Sequence, residues 1–263
     1  MTLVHAIILA IIEGLTEFLP ISSTAHMKIT DYLVGIPETP FRNLYEIIVQ
    51  LAAILAVVLL YWKKFFDFKN IRFYVKLIIA VIPALIFGAL LKKHIDSMLS
   101  NLAFIALVMI AGGVILLFTD KLFTKNKIDT DEKIDYLTSF KIGLFQVLSI
   151  LFPGLSRSAA TIIGGMSIGL NKRTAAEFSF FLAVPTMLAA SAKSTLDVIQ
   201  EGSVSFGSNE IIIMAVGCFI SFIVALAAVK SFIEIIQKFG FRFFGIYRII
   251  IGSVILLLLT LHH

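Results

Sequence analysis

Long apolar runs separated by short polar stretches make up most of this chain of 263 residues. A helix needs about 20 predominantly apolar residues to cross the hydrocarbon core of a bilayer, which is roughly 30 Å thick. Six runs are long enough, or nearly so, and they predict six transmembrane helices. These runs lie at about 44–62, 74–91, 102–118, 177–192, 211–229 and 246–261.

Four further apolar runs are too short to span a bilayer, and they come in two pairs. Each pair is joined by a short polar turn that contains a proline, which ends the helix before it. The pairs are 3–18 with 22–35 around Pro20, and 139–152 with 158–170 around Pro153. Two short helices around a polar turn predict a re-entrant hairpin, because irregular backbone is tolerated at membrane depth only inside protein or beside a water-filled cavity.

The two halves of the chain carry similar polar residues in the same order. Three matches support this: Glu13 and Pro20 with Gln146 and Pro153, Ser23 with Ser156, and Glu46 with Glu177. We therefore predict a single membrane domain, 1–263, built from two repeats at about 1–120 and about 136–263. The polar linker 119–138 joins the repeats. Each repeat holds one hairpin and three spans.

An odd number of spans in each repeat makes the second repeat enter the membrane from the opposite side. Lys and Arg are enriched in cytoplasmic loops of membrane proteins, and one orientation places most of them on one side. That side receives Lys63, Lys64, Lys69, Arg72, Lys121, Lys125, Lys127, Lys133, Lys230, Lys238 and Arg242. The first hairpin then enters from outside and the second from the cytoplasm, and their turns should meet near the midplane. Inverted repeats with broken helices are typical of transporters.

The composition excludes an ordinary soluble domain. Hydrophobic residues make up 59% of the chain and charged residues only 15%, whereas the outside of a soluble domain must be largely polar. The formal charge is +5, but the basic residues lie between apolar runs, which favours membrane orientation over nucleic-acid binding. We predict an all-α integral membrane protein with membrane lipids as partners and no nucleic acid.

The stretch 13–26, EGLTEFLPISSTAH, concentrates polar chemistry in this apolar chain. Glu13 and Glu17 are four residues apart, so they lie on the same face of a helix that Pro20 ends. Three hydroxyl residues then favour capping a new helix, whose free N–H groups attract an anion. They are Ser22, Ser23 and Thr24.

The second turn, PGLSRSAAT at 153–161, places Arg157 at membrane depth. A buried arginine there is costly and predicts function, and its planar fork of donors suits phosphate oxygens. Gly154 allows close backbone approach, and three hydroxyls add neutral donors for an anion. They are Ser156, Ser158 and Thr161. Glu13 and Glu17 would repel a phosphate unless a divalent cation, Mg²⁺ or Ca²⁺, lies between them.

These two motifs resemble the two signatures of the bacterial undecaprenyl-diphosphate phosphatases, the bacitracin-resistance family, and the resemblance extends over the whole chain. It implies hydrolysis of undecaprenyl diphosphate, a polyprenyl diphosphate lipid, to undecaprenyl phosphate and inorganic phosphate. This reaction recycles the lipid carrier for peptidoglycan synthesis and confers bacitracin resistance. The resemblance also implies a divalent cation and a site open to the outer face of the bacterial cytoplasmic membrane.

The resemblance assigns roles position by position. Glu13 and Glu17 match the paired glutamates, Ser23 the nucleophile, His26 the acid/base and Arg157 the residue that binds the diphosphate. Ser23 and His26 are three residues apart, so on a helix they share a face and could form a hydrogen bond. The residues do not decide between attack by Ser23 and direct attack by water.

Other interpretations stay open for several residues. The two glutamates could be solvated at a membrane surface, Ser23 could bond only to helix backbone, and His26 could serve packing. Glu46 and Glu177 are candidates for the pocket or for structure alone, and Arg248 is expected to anchor a helix end at the cytoplasmic surface. The alternative function is a lipid-phosphate flippase or transporter using the same site, and a homodimer is a further partner to consider.

Overall fold

The computed structural model describes residues 1–124, 126–201 and 207–261. Twelve α-helices lie in these ranges. They are α1 (Leu3–Thr16), α2 (Ser23–Val34), α3 (Pro40–Leu60), α4 (Trp62–Phe65), α5 (Ile71–Leu90), α6 (Lys92–Leu99), α7 (Leu102–Leu122), α8 (Tyr136–Leu151), α9 (Arg157–Ile168), α10 (Lys172–Glu201), α11 (Ser208–Phe239) and α12 (Arg242–Leu261). A short 3₁₀ helix, Asp131–Lys133, lies in the linker, while Lys125, one of the predicted cytoplasmic lysines, lies outside the described residues.

The six predicted spans are confirmed as helices long and apolar enough to cross a membrane. These helices are α3, α5, α7, α10, α11 and α12. The four short runs also form helices, α1, α2, α8 and α9, of 14, 12, 16 and 12 residues. At a rise of 1.5 Å per residue they are shorter than the hydrocarbon core. The described chain contains no strand, and a single isolated bridge joins Ile128 in the linker to Leu170.

The ends of the helices follow local capping signals. The side chain of Thr39 accepts a hydrogen bond from the backbone of Arg42, and Pro40 occupies the first turn of α3, where its missing N–H costs nothing. Asp135 caps α8 by accepting from Thr138 at 2.7 Å. Such caps satisfy backbone groups that have no partner at a helix terminus, and they fix where the spans begin.

Helix packing follows the same scheme in both halves of the chain. Helix α1 packs against α11, and its counterpart α8 packs against α5. Each contact uses a glycine: an added Cβ at Gly14 would lie 2.7 Å from the carbonyl oxygen of Ser221, and one at Gly143 would lie 2.2 Å from that of Ala80. Small residues let helices approach closely in membranes. Helices α7 and α12 also pack together, and α3 packs against α10.

Candidate active site

The two proline turns contact each other inside the helix bundle. Ser158 at the start of α9 donates a hydrogen bond of 2.7 Å to the carbonyl oxygen of Leu19 in the first turn, and the Ser156 hydroxyl approaches the same oxygen at 3.4 Å. The same carbonyl also accepts from the backbone N–H of Ile21 at 2.8 Å, so it closes the first turn as well as binding the second. The contact brings the N-termini of α2 and α9 together.

Glu17 joins the two turns through its carboxylate. One oxygen, Oε1, accepts from Arg157 Nη2 at 2.7 Å, and the other, Oε2, accepts from the Ser23 hydroxyl at 2.6 Å. Glu17 is only 7% exposed, so water screens these contacts little. The structure therefore brings together three of the residues that the sequence singled out, from opposite halves of the chain, around one buried carboxylate.

Two serines with left-handed backbone start the helices that carry Ser23 and Arg157. Ser22 has φ 72° and Ser156 has φ 74°, and the side chain of each accepts from a backbone N–H three residues later, in α2 and α9 respectively. A positive φ is unfavourable for serine, by about 1–3 kcal/mol, and the capping bonds and the contact between the turns hold it in place. Ser23 and Arg157 thus each occupy the first position of a short helix.

The caps change the match between the two turns that the sequence suggested. Counting from each proline paired Ser156 with Ser23. In the structure Ser156 is the N-cap of α9, and the N-cap of α2 is Ser22, so Ser156 corresponds to Ser22. The second turn is one residue longer, and Gly154 in it adopts φ 100°. An added Cβ there would lie 2.5 Å from the carbonyl oxygen of Ile105, so this turn position requires glycine. The structural counterpart of Ser23 is therefore Arg157.

Arg157 has donors that point in three directions. Besides Glu17, it donates from Nη1 to the carbonyl oxygen of Ser179 at 3.1 Å, and its guanidinium carbon lies 5.9 Å from the centre of the Phe18 ring. Its Nε is buried and has no hydrogen-bond partner within the described part of the chain. A buried donor without a partner carries a desolvation cost of about 1–3 kcal/mol, which a bound anion would remove.

A cavity of about 280 Å³ opens beside this cluster. The polar residues of its lining, named the polar wall, include most of the predicted site residues, and the apolar residues of its lining are named the apolar wall. The polar wall comprises Glu17, Ser22, Ser23, Thr24, Gln50, Gln146, Ser149, Gly154, Ser156, Arg157 and Thr186. The apolar wall comprises Ile95, Leu99, Ile150, Pro153, Met187 and Ala190. The cavity therefore suits a ligand with a polar head and an apolar body.

A second cavity, of about 150 Å³, shares Ser23 and Thr24 with the first. Glu13, Glu46 and Gln50 line it, and Gln50 also faces the first cavity. Glu13 is 3% exposed, and its Oε1 is buried without a hydrogen-bond partner in the described residues. Carboxylate and amide oxygens are the ligands that Mg²⁺ and Ca²⁺ prefer. Within the described ranges no group of three or more His, Cys, Asp and Glu side chains is placed to hold a metal ion.

The structure gives His26 partners other than Ser23. Its Nδ1 lies 2.7 Å from the carbonyl oxygen of Ser22, its Nε2 lies 2.8 Å from the Tyr247 hydroxyl, and the two rings stack. The hydroxyl of Ser23 turns back towards Glu17. Their shared helix face therefore does not bring them into a hydrogen bond, and His26 joins α2 to α12.

Ser158 and Thr161 are fully buried and line neither cavity. The hydroxyl of Thr161 lies 2.7 Å from that of Ser179 and donates to the carbonyl oxygen of Arg157. Both hydroxyls, which the sequence predicts as substrate contacts, bond to backbone in this structure: Ser158 to Leu19 in the first turn and Thr161 to Arg157.

Glu46 and Glu177 have different surroundings. Glu46 accepts from Arg42 Nη2 at 2.6 Å and lines the second cavity, so it is a pocket residue. Glu177 accepts from Arg173 at 2.9 Å on an exposed part of α10 and lines neither cavity.

Arg248 corrects a prediction. It was expected to anchor a helix end at the cytoplasmic surface, but it is fully buried and donates to carbonyl oxygens in both proline turns. The sequence carried a signal for this, because an arginine several residues inside an apolar run predicts a buried role. Gln50 and Thr186, which face the first cavity, had no such signal.

Comparisons with known proteins agree with the motifs. The family model described as bacitracin resistance protein BacA matches residues 6–254. Proteins named undecaprenyl-diphosphatase are similar over nearly the whole chain. The one from Flavobacterium johnsoniae is 48% identical, covering 98% of this chain and 96% of its own. The one from Porphyromonas gingivalis is 44% identical with 98% and 97% covered, and the one from Bdellovibrio bacteriovorus is 45% identical with 100% and 98% covered.

Proposed function

The chain belongs to the bacitracin resistance protein BacA family, and we propose that it hydrolyses undecaprenyl diphosphate to undecaprenyl phosphate and inorganic phosphate. In this role it recycles a lipid carrier for cell-wall synthesis and confers bacitracin resistance. The observation that carries the proposal is the buried carboxylate of Glu17, which accepts from both Ser23 and Arg157. A hydroxyl, a base and a guanidinium in contact are the parts that phosphoryl transfer requires.

The first cavity fits such a substrate. The diphosphate would lie against Arg157 and the hydroxyls of Ser22, Thr24 and Ser156, while the prenyl chain would leave along the apolar wall. The N-termini of α2 and α9 both reach this polar wall, and free N–H groups at helix N-termini favour anions. Anion binding and lipid binding are thus both supported within one cavity.

Arg157 would bind the terminal phosphate and neutralise the negative charge that develops on its oxygens. This electrostatic effect is a major contribution in phosphoryl transfer, because the reaction passes through a loose transition state. The phosphate would also compete with Glu17 for the guanidinium. Loss of the ion pair would leave the Glu17 carboxylate free to accept the proton of Ser23 when the substrate is in place.

Ser23 is the proposed nucleophile. Its oxygen would form a bond to the terminal phosphorus and pass its proton to Glu17, while the bond to the bridging oxygen breaks and undecaprenyl phosphate leaves. Water would then hydrolyse the phosphoserine, releasing inorganic phosphate. The hydrogen bond of 2.6 Å from Ser23 to Glu17 supports this assignment. The second route is direct attack by a water molecule that Glu17 deprotonates, with Ser23 only orienting the phosphate.

A divalent cation fits the acidic side of the site. Glu13 would hold it through the carboxylate oxygen that has no partner in the described residues, with Gln50 in the same cavity and Glu17 in the first cavity. When bound, a Mg²⁺ or Ca²⁺ ion would offset the repulsion between the glutamates and the phosphate and polarise a phosphoryl oxygen. Glu46 would add a negative charge to this cavity, and its ion pair with Arg42 would partly neutralise that charge.

We also propose that the fold consists of two inverted repeats with re-entrant hairpins. Equal lengths of α2 and α9, their serine caps with positive φ, and glycine at φ 70° and φ 109° after their last residues support the repeat. The distribution of Lys and Arg supports a cytoplasmic 63–73 loop. Membership of the family supports a location in the bacterial cytoplasmic membrane and a site open to its outer face. The transporter alternative finds no support among the relatives, which are named as diphosphatases.

The test of the proposed function is phosphate release from undecaprenyl diphosphate by the purified full-length protein in detergent. We expect one inorganic phosphate for each undecaprenyl phosphate formed, and loss of the reaction in a chelator that Mg²⁺ or Ca²⁺ reverses. Absence of phosphate release with every divalent cation, from protein that still binds the lipid, would overturn the proposal.

A further inference from the structure

Arg248 uses all five of its N–H groups on backbone carbonyls from three separate segments. Two acceptors lie in α7, one in the first turn and two in the second turn. Nε donates to Met109 at 3.1 Å, Nη1 to Pro20 at 3.1 Å and Leu155 at 2.8 Å, and Nη2 to Val108 at 3.5 Å and Gly154 at 2.8 Å. Arginine has five donors in a fixed planar arrangement, so the site matches its full capacity.

Arg248 has no acidic partner in the described residues. A buried charge without a counter-ion is costly, and here carbonyl dipoles alone offset it. The carbonyls of Pro20, Gly154 and Leu155 lie in turns, outside any helical hydrogen-bond ladder, and an unpaired carbonyl at membrane depth costs several kcal/mol. The turn carbonyls therefore stabilise the buried charge of Arg248, and Arg248 satisfies carbonyls that would otherwise lack a donor.

The contacts of Arg248 lie next to the proposed catalytic residues in sequence. Pro20 precedes Ser23 by three residues, and Gly154 precedes Arg157 by three. One rigid guanidinium holds both turns, so it fixes the distance between the first residues of α2 and α9. Those residues are the two that donate to Glu17.

We propose that Arg248 is a positioning residue for phosphoryl transfer: without touching the substrate, it sets the separation of Ser23 and Arg157 by clamping the two proline turns. This proposal rests on the proposed function of the same site. A misplacement of about 1 Å in a catalytic group can cost about 100-fold in rate. Arg248 thus acts on the chemical step through geometry.

Arg248→Lys tests the clamp because an ammonium keeps the charge but has three donors on one nitrogen and cannot reach both turns together. We expect kcat for phosphate release to fall about 100-fold, with KM within about threefold of the wild-type value because the binding groups remain. Arg242→Lys, an exposed arginine on the same helix, is the matched control and should keep both constants. A kcat for Arg248→Lys within about threefold of wild type would overturn the proposal.

A second pair of variants tests the clamp in protein that keeps Arg248, in case Arg248→Lys does not fold. An added Cβ at Gly112 on α7 would lie 2.4 Å from Arg248 Nη2, whereas one at Gly88 on α5 would meet nothing within 4 Å. Alanine favours a helix more than glycine does, so both chains should fold. We expect Gly112→Ala to lower kcat about tenfold or more and Gly88→Ala to leave it unchanged. Equal kcat values for the two would overturn the clamp.

Hydrogen–deuterium exchange tests whether Arg248 holds the two turns, and it does not depend on an activity assay. In Arg248→Lys and Gly112→Ala the backbone amides of 21–26 and 154–160 should exchange faster than in wild type, while those of α3 and α5 stay unchanged. Unchanged exchange in both turns would overturn the positioning role. A wild-type protein that releases no phosphate would instead remove the proposed function, and the exchange comparison would still test the clamp.

Discussion

Ser23 and Arg157 occupy the same position in two equivalent short helices, and both donate to the carboxylate of Glu17. One half of the chain thus supplies a hydroxyl where the other supplies a guanidinium. In the proposed reaction this difference would place a nucleophile on one side of the phosphate and a positive charge on the other.

Arg157→Ala should lower kcat/KM for phosphate release by at least about 1000-fold, the effect of removing an arginine that stabilises phosphoryl transfer. Arg157→Lys should recover only a small part of this, because one ammonium cannot replace the fork. Steady-state kinetics with undecaprenyl diphosphate measures both. Arg173→Ala, at an exposed pair with Glu177, is the control and should resemble wild type. Near-normal turnover by Arg157→Ala would remove this residue from the mechanism, and near-normal turnover by Arg157→Lys would show that its charge suffices without the fork.

Ser23→Ala separates the two proposed routes of attack. If Ser23 is the nucleophile, turnover should fall by at least about 1000-fold, and acid-quenched wild-type protein should carry a phosphate on Ser23 detectable by mass spectrometry. Ser167→Ala, an exposed serine on α9, is the matched control and should keep its rate. Appreciable turnover by Ser23→Ala would instead assign the attack to water, with Glu17 as the base.

Glu13→Gln should weaken binding of the divalent cation, because it removes the carboxylate whose Oε1 has no partner in the described residues. We expect the Mg²⁺ or Ca²⁺ concentration for half-maximal activity to rise on the order of 10-fold or more. Binding can also be read without turnover, since a bound cation stabilises the folded protein and raises Tm. Glu177→Gln, outside both cavities, should show the wild-type shift in Tm. An unchanged metal titration for Glu13→Gln would make this carboxylate purely structural.

His26 and Tyr247 should behave as one unit. His26→Phe and Tyr247→Phe each remove their hydrogen bond of 2.8 Å, at a cost of about 1 kcal/mol in stability. The double variant should lose little more than His26→Phe alone, because His26→Phe already breaks the only hydrogen bond that Tyr247→Phe removes between the two side chains. Thermal unfolding in detergent measures this, with the exposed Tyr136→Phe as control. Full loss of phosphate release in His26→Phe together with wild-type activity in Tyr247→Phe would show His26 to be an acid or base in the reaction.

The spans could be predicted from the sequence because the hydrocarbon core imposes a length on apolar helices. Their ends could not, because hydropathy detects only the part of a helix that lies in hydrocarbon. Helix α11 extends to Phe239, well beyond the apolar run at 211–229, through a segment that carries Lys230, Glu234 and Lys238. Such a segment is polar enough to leave the membrane and still remain helical.

The sequence pointed to the polar side chains of the candidate site, but it did not predict the backbone contacts that hold them. Glu17, Ser23 and Arg157 are polar groups in apolar surroundings, and that contrast made them visible. The acceptors of Arg248 are main-chain carbonyls, which leave no pattern in a sequence. The positive φ of Ser22 and Ser156 was equally hidden, because glycine is the usual signal for that conformation and here a hydrogen-bonded cap replaces it.

Glu17 joins the two halves of the chain through its hydrogen bonds to Ser23 and Arg157, at the proposed catalytic site. The most direct test compares the initial rates of phosphate release from undecaprenyl diphosphate by wild-type, Glu17→Gln and Glu177→Gln protein in detergent, with folding checked by thermal unfolding. We predict a loss of at least about 1000-fold for Glu17→Gln and a wild-type rate for Glu177→Gln. A folded Glu17→Gln protein that releases phosphate at the wild-type rate would contradict the account.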